Sequence, residues 1–369
     1  MTDEGIPSVT DLPKTSPEIA ANYSRSAVQE GDIVMSIGPS FGKVAMAQAE
    51  HTGANLTQGT ARIAIAEEHL ARYFFWLLRS SDVHQYWTSI ATGATFPALN
   101  LEPLGSTVVP IPSYKEQQKI AAYLDHTTAL IDQLLVKNTA LLELLDQQRK
   151  AIINEAVTKG LDPKVPMKES GIGWLGKVPK HWSICKLKRL VSMKSGDFIS
   201  ASSIGDDGPY LVYGGNGVRG TAESYTHDGD FVLIGRQGAL CGNINYANGK
   251  FWATEHAVVV TPVQPMDTQY LGELLRAMNL NQYSESAAQP GLSVTKISNL
   301  DVPNVPYDEQ VRIGAFLQER TELFERAKAG VVAVMEKLKE YRQSIISEAV
   351  TGKVDLREWE PAKQQAIRS

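Results

Sequence analysis

The sequence predicts a mixed α/β protein built twice over. Two globular α/β regions are separated by two long helices that pair antiparallel as a coiled coil, giving a dumbbell with a pseudo-twofold axis. Three observations carry this expectation. Shifted by 193 residues, Leu99–Thr158 lies on Leu292–Thr351 without a gap, with 21 identities in 60 positions. These include Pro110/Pro303, Tyr114/Tyr307, Glu116–Gln117/Glu309–Gln310 and Ile152–Ile153/Ile345–Ile346, and Glu155-Ala-Val-Thr recurs intact as Glu348-Ala-Val-Thr. Both copies carry a heptad in one frame. Each is preceded by a stretch in which Pro, Gly, Thr and β-branched residues punctuate short strands.

The long helices are expected over Glu116–Thr158 and Glu309–Thr351. In a 4-3 spacing the first places Ile120, Leu124, Thr127, Ile131, Leu134, Asn138, Leu141, Leu145, Gln148 and Ile152 on one stripe. The second places Ile313, Leu317, Arg320, Phe324, Ala327, Val331, Val334, Leu338, Tyr341 and Ile345 there. Apolar residues sustained over four heptads describe a coiled-coil seam, and the polar Asn138 sets its register; ordinary amphipathic helices on a globular core are the plainer alternative. At about 1.5 Å per residue each helix spans roughly 60 Å. The second globular region must leave the end of one helix and feed the start of the next, which short connections allow only if the helices run antiparallel.

Taken in order, residues 1–112 form the first region, with strands expected at Asp32–Ile37, Gly42–Ala47 and Ala61–Ala66. A helix is expected at Glu67–Arg79, its acidic start and basic end suiting the helix dipole. Pro110-Ile-Pro112 closes the region before the first long helix, 113–160. Gly160 and Pro163 stop that helix. The second region, 161–308, has strand candidates Phe231–Ile234, Gly242–Tyr246 and Ala257–Thr261, a helix near Thr268–Met278, and a tight glycine loop at Tyr213–Gly220. The second long helix, 309–353, and a tail, 354–369, complete the chain. The two globular regions are themselves related: Gly31-Asp-Ile-Val matches Gly229-Asp-Phe-Val, and Ile37-Gly38 matches Ile234-Gly235. On that alignment residues 165–199 have no counterpart in the first region, which is expected to lack its opening segment.

Composition narrows the class. A chain of 369 residues with 43% hydrophobic and 21% charged residues is a folded protein of two or three domains. No apolar run reaches the ~18 residues of a membrane span, and Met1-Thr-Asp-Glu lacks the features of a signal peptide. Cys185 and Cys241 have neither framework nor metal spacing, so both are expected as reduced thiols in a cytoplasmic protein. None of the seven histidines has metal-ligand spacing with cysteine. The net charge of −5 disfavours indiscriminate nucleic-acid binding without excluding a local basic face.

The order of region, long helix, region and long helix resembles the specificity subunits of type I restriction–modification systems. So do the Gly-Asp-Ile/Phe-Val strand entries, the Pro-x-x-x-Tyr-x-Glu-Gln approaches and the Arg-x-x-Ile-Ile-x-Glu-Ala-Val-Thr helix ends. The run Gly171-Ile-Gly-Trp-Leu-Gly-Lys-Val-Pro-Lys-His-Trp182 is similar to the opening of that family's target recognition domains. The resemblance covers essentially the full chain. It implies that each region reads one half of a split double-stranded DNA target, and that the helices set the spacer and dock two methyltransferase subunits. A translocating restriction subunit joins later. It implies no catalysis and no cofactor in this chain: S-adenosylmethionine belongs to the methyltransferase, ATP and Mg to the nuclease subunit. The Asn-Pro-Pro-aromatic motif and a Walker A sequence are absent from the sequence; Gly171–Gly176 and Gly215–Gly220 have Gly-x-Gly-x-x-Gly spacing, and at Gly215–Gly220 a plain turn is expected in place of a cofactor cradle. A coiled-coil scaffold that binds methyltransferase without reading DNA is the alternative.

Candidate DNA contacts fall into two sets. Between Glu169 and Asp197 no acidic residue interrupts Lys177, Lys180, Lys186, Lys188, Arg189 and Lys194, interleaved with His181 and Trp182. The cluster is either a phosphate-neutralising surface or a solvated face. Residues 1–112 hold 6 Lys+Arg against 11 Asp+Glu, whereas 165–308 hold 12 against 13, so the second region is expected to supply more of the affinity. For base readout, Arg236 and Gln237 follow a strand, and such side chains grip guanine or adenine bidentately. Arg219, Asn216 and Tyr213 sit in the glycine loop; Thr295, Lys296 and His256 are weaker choices. In the first region Ser40 and Lys43 occupy the corresponding loop, and Asn55 and Gln58 the next. Each of these is alternatively an ordinary surface polar group. Glu116, Gln117, Glu309 and Gln310 are candidate partner-docking residues, duplicated as two identical partners require, or else helix-start caps.

Overall fold

The computed structural model describes residues 5–38, 41–91, 98–238, 240–284 and 291–360. The chain divides into two compact units. One comprises 1–140 with 331–369, and the other 141–330, so each holds one globular region and part of both long helices. The helices run Tyr114–Lys159 and Tyr307–Val350, each within two residues of the expected bounds.

In the first unit, β1 (Ile33–Ser36) lies between β2 (Val44–Met46) and β3 (Thr60–Ile63), both antiparallel to it, with Ile33 opposite Met46 and Ile63. All four β1 residues are buried, as befits a central strand covered on both faces. The helix expected at Glu67–Arg79 spans Ala71–Leu78. Glu67 and Glu68 lie in the preceding turn and do not charge its terminus. A second helix, Ser81–Ile90, starts from Ser80, whose hydroxyl accepts the Val83 amide. The core joins Ile33, Met35, Tyr73 and Trp87 to Ile120 and Leu124 near the start of the first long helix, and to Ile345, Ile346 and Ala349 near the end of the second. Those contacts, with Arg342 3.2 Å from Asp132, make the pairing antiparallel in this unit. The tail turns back onto the same core: Leu356 is buried, and Trp359 packs edge-on against Tyr123 at 5.3 Å.

In the second unit, β4 (Met167–Glu169) pairs with β5 (Lys177–Pro179). β6 (Ser183–Lys186) pairs with β15 (Asp301–Asn304). One four-stranded sheet contains β7 (Val191–Ser195), β14 (Ala257–Pro262), β11 (Phe231–Gly235) and β12 (Ile244–Ala247), all antiparallel. The other runs β10 (His227–Asp228), β13 (Lys250–Ala253), β8 (Tyr210–Gly214) and β9 (Gly217–Ala222), with β13 and β8 parallel. The helix Thr268–Ala277 packs Tyr270, Leu271, Leu274 and Leu275 against β11, β14, Ile153, Val157, Ile313 and Leu317. Lys328 reaches Asp146 at 2.9 Å, so the pairing is antiparallel here as well. The glycine stretch expected as a loop is a hairpin. Tyr213 and Arg219 lie in its strands, and only Gly215 and Asn216 turn.

The seam differs from the expected heptad in alternate positions. Leu134, Leu141 and Gln148 are exposed, as are Arg320, Ala327, Val334 and Tyr341. Their C-terminal neighbours Leu135, Leu142, Arg149, Thr321, Lys328, Met335 and Arg342 turn inward instead. The 4-3 pattern therefore runs 124, 128, 131, 135, 138, 142, 145, 149, and identically 317, 321, 324, 328, 331, 335, 338, 342. Apolar doublets such as Leu134–Leu135 and Leu141–Leu142 satisfy either frame. The inward charges settle the choice, because within their units Arg342 lies on Asp132, Arg149 on Glu325 and Lys328 on Asp146.

Candidate nucleic-acid interface

The sheet register gathers most of the second region's loop candidates at one place. Arg236 continues β11; its amide donates to the His256 carbonyl at 2.9 Å and its guanidinium to the Ser195 hydroxyl at 3.2 Å. Its own carbonyl accepts the Leu292 amide, and Gln237 forms a bridge with Gly291. Those two contacts bring in the helix Val294–Ser298, which carries Thr295 and Lys296. The hairpin turn closes from the other side. A side chain at Gly215 would meet the His256 and Gln237 carbonyls at 3.2 and 3.3 Å, and one at Gly235 would strike the Gly215 carbonyl. Only glycines allow that approach. Asn216 accepts a hydrogen bond from the Asn243 amide at 3.0 Å. Gln237, Asn216, Asn243 and Lys296 are exposed, and Arg236 and His256 half-buried. This is a surface of donors and acceptors held on strand ends, which suits reading base edges. Asn243 and Ser195 escaped the sequence reading because strand pairing alone brings them here.

Other candidates are placed elsewhere. Tyr213 is a core residue: its ring packs edge-on against Phe251 at 5.5 Å, burial pushes its phenol up, and it offers little to a ligand. The Arg219 side chain folds along Gly214. Of the lysine cluster, Lys177 pairs with Glu169, Lys186 bonds Asp301 at 2.8 Å and Lys188 bonds Asn299 at 2.7 Å. Lys180, Arg189 and Lys194 are exposed. His181 and Trp182 turn to Glu309. Beside the hairpin, a cleft of about 700 Å³ is lined by Phe198, Ser200, Ser203 and Trp252, and Phe198 is 75% exposed.

The first region carries its candidates differently. Ser40 lies outside the described residues. Lys43 is half-buried and Gln58 exposed. Asn55 is engaged internally, donating to the Tyr23 carbonyl at 3.0 Å and so holding the short helix Pro17–Asn22. Backbone bonds show which residue stands where Arg236 does. The Ile37 amide donates to Gly59 and its carbonyl accepts Leu99, just as Arg236 bonds His256 and Leu292. The counterpart of Arg236 is therefore Ile37.

The four duplicated helix-start residues have internal work. Gln117 is 1% and Gln310 3% exposed. Gln117 accepts the Leu70 amide at 2.8 Å and donates to the Pro112 carbonyl at 2.9 Å. Gln310 accepts the Asp267 amide at 3.2 Å and donates to Val305 at 2.8 Å. Each thus ties the residue that precedes a globular helix to the approach of a long one. Glu116 forms a reciprocal cap with Ser113, whose amide and hydroxyl it accepts at 2.9 and 2.6 Å; those bonds hold its carboxyl below the ordinary value. Glu309, with Pro306 in place of a capping serine, accepts the Trp182 indole at 2.9 Å and His181 at 2.7 Å. The docking role expected of these residues has no exposed amide to carry it at Gln117 or Gln310.

Two mixed α/β regions, each clasped to long helices in the same way, define a tandem-repeat scaffold. The model for the type I restriction modification DNA specificity domain matches residues 4–143 and 179–329, and the chain belongs to that family. It is 42% identical over 137 residues to the type I restriction enzyme EcoprrI specificity subunit of Escherichia coli, covering 36% of this chain and 34% of that one. It is 27% identical over 210 residues to the MjaIX specificity subunit of Methanocaldococcus jannaschii, covering 50% and 46%. These alignments span less than two thirds of either relative. The HsdS subunit from Thermoanaerobacter tengcongensis shares the fold with a TM-score of 0.55 at 18% identity, covering 89% of this chain and 82% of that one. A chain from a structure describing assembly and conformational transition of the type I R-M system reaches 0.73 at 18% identity, covering 89% and 83%. Among the described residues no helix is long and apolar enough to cross a membrane.

Proposed function

We propose that this chain is the DNA-specificity subunit of a type I restriction–modification assembly, acting in the cytoplasm. Each globular region reads one half of a bipartite duplex target, and the paired helices fix the spacer. Two methyltransferase subunits dock on the helices, and a translocating restriction subunit completes the assembly. The chain positions DNA and does no covalent chemistry. Adenine methylation from S-adenosylmethionine and ATP- and Mg-dependent translocation belong to the partners.

The observation that carries this reading is the convergence of Arg236, Gln237, Asn216, Asn243, His256 and Lys296 at the strand ends of the second region. Arg236 leads because Ser195 orients its guanidinium and both of its backbone groups are pinned, leaving the fork's remaining donors for guanine. Lys194, Arg189, Lys180 and Lys296 supply phosphate contacts that set register. With Ile37 at the matching position, the first region reads its half-site by different side chains, Lys43 and Gln58 among them.

Single-molecule mapping of methyladenine tests the proposal in cells expressing this chain with methyltransferase subunits. A bipartite motif with a fixed spacer is expected, and Arg236→Ala should relax one base pair in one half, a loss of roughly 1–3 kcal/mol of discrimination. An unchanged motif in that variant refutes the role of Arg236. Absence of methylation, with the subunits still co-purifying, refutes DNA reading.

A further inference from the structure

The main-chain bonds beside Arg236 also fix its neighbour. At the junction of β11 and β12 the Gly235 amide donates to the Asn243 carbonyl at 2.8 Å, and the Gly242 amide donates to the Gly235 carbonyl at 2.7 Å. The first unit repeats both bonds, from Ser36 to Lys43 at 2.9 Å and from Gly42 to Ser36 at 3.0 Å. The two glycines share a left-handed conformation, with φ of 86° at Gly242 and 87° at Gly42. Asn243 and Lys43 therefore hold one position in the two repeats. Asn243 is exposed, and its side-chain amide donates to the Asn216 Oδ1 at 3.0 Å. Its backbone amide is committed as well, donating to the Leu240 carbonyl at 3.1 Å. The carboxamide is thus aimed by the turn between β8 and β9.

We infer that Asn243 is a specificity-determining residue that reads an adenine in the second region's half-site, with Asn216 as the positioning residue that aims it. The inference rests on the DNA-reading role proposed above. A carboxamide carries two N–H donors and a carbonyl with two lone pairs. After the bond with Asn216, whichever amide donates it, Asn243 keeps at least one N–H and one lone pair. One donor beside one acceptor matches the N7 and N6 amine of adenine in the major groove. Guanine presents acceptors at both places and is mismatched. Neighbouring strands lie about 4.8 Å apart and successive base pairs about 3.4 Å, so the adenine lies one or two base pairs from the guanine gripped by Arg236. It is distinct from the adenine that is methylated, because an N6 amine held by Asn243 is not open to methyl transfer.

The test is methylation of a plasmid library in cells expressing the full chain with methyltransferase subunits. The library is randomised across both half-sites, and single-molecule mapping scores each sequence. The wild-type chain is expected to prefer adenine by about tenfold or more at the position in question. Asn243→Ala should level that preference there alone. Lys43 shows that this backbone position accepts a lysine, and Asn243→Lys, which presents donors only, should turn the preference to guanine. Asn216→Ala should cut the adenine preference several-fold without favouring another base, an effect that a merely structural turn contact would not confine to one base pair. Unchanged preferences in Asn243→Ala overturn the inference, while a defined wild-type motif leaves the DNA-reading role standing. So does uniform loss of methylation across the library in that variant, or a change at a position that is not adenine. A wild-type chain that marks no motif at all overturns the DNA-reading role itself, and this assignment with it.

Discussion

Replacing Gln310 by leucine tests what the buried amides are for. Gln310 satisfies the Asp267 N–H and the Val305 carbonyl from a site that is 3% exposed. Leucine is close in size, so overpacking and cavity terms are small, and the loss comes from two stranded backbone groups. Each costs about 1–3 kcal/mol when buried without a partner, giving roughly 2–6 kcal/mol for Gln310→Leu. Asp267 also caps its helix by accepting the Tyr270 amide at 2.7 Å, so the damage should centre there. Native-state hydrogen exchange provides the assay: amides of 268–277 should lose protection by a factor of about 30 or more, while those of 71–78 in the other unit stay unchanged. Gln117→Leu should produce the mirror result. Unchanged protection in both variants, with binding to the proposed methyltransferase partner lost, would refute the capping account and return these residues to the proposed docking role.

Trp182→Ala should destabilise the second unit by about 3–5 kcal/mol, from its lost volume and the vacated Glu309 acceptor, as read by urea denaturation of that unit's tryptophan signal. Ser113→Ala should cost the first helix about 1 kcal/mol, seen as faster exchange in its opening turn; the second helix, which starts from Pro306, offers no equivalent loss. The Asp146 carboxyl is held below its ordinary value by a hydrogen bond from Lys328. Its contribution is therefore complete above roughly pH 4 and disappears as the pH falls through the lowered value. Melting curves of the chain and of Asp146→Asn should differ at neutral pH and converge in acid; a constant difference would show that the charge is not the cause.

Much of the architecture was legible because duplication makes two weak signals agree. Both long helices ended within two residues of expectation, since Gly160 and the repeated Pro-x-x-x-Tyr-x-Glu-Gln approaches mark local events. The seam was misframed where local pattern is degenerate, as at Leu134–Leu135. The true frame rests on Arg149, Lys328 and Arg342, whose ion partners lie far away in sequence. The acidic pair Glu67–Glu68 fell short of the helix because a glutamine 50 residues on selects its first turn. Tyr213 looked like a loop aromatic until the hairpin folded it onto Phe251. Arg236, Gln237 and His256 were visible as polar residues beside strand entries, yet their convergence with Asn243 and Ser195 depends on register that no window of sequence contains.

The glutamine clasp grips Leu70 in one unit and Asp267 in the other, two side chains with no chemistry in common. It can do so because the two bonds that both glutamines share go to main chain, an amide on one side and a carbonyl on the other, with a longer 3.5 Å contact to the His69 ring added at Gln117. A joint that ignores side-chain identity makes no demand on the sequence of whatever region it holds. The globular regions are therefore free to change their surfaces almost without limit, provided one helix begins at the right distance from Gln117 or Gln310. The long helices act as a fixed chassis, and novelty in what is read costs the framework nothing.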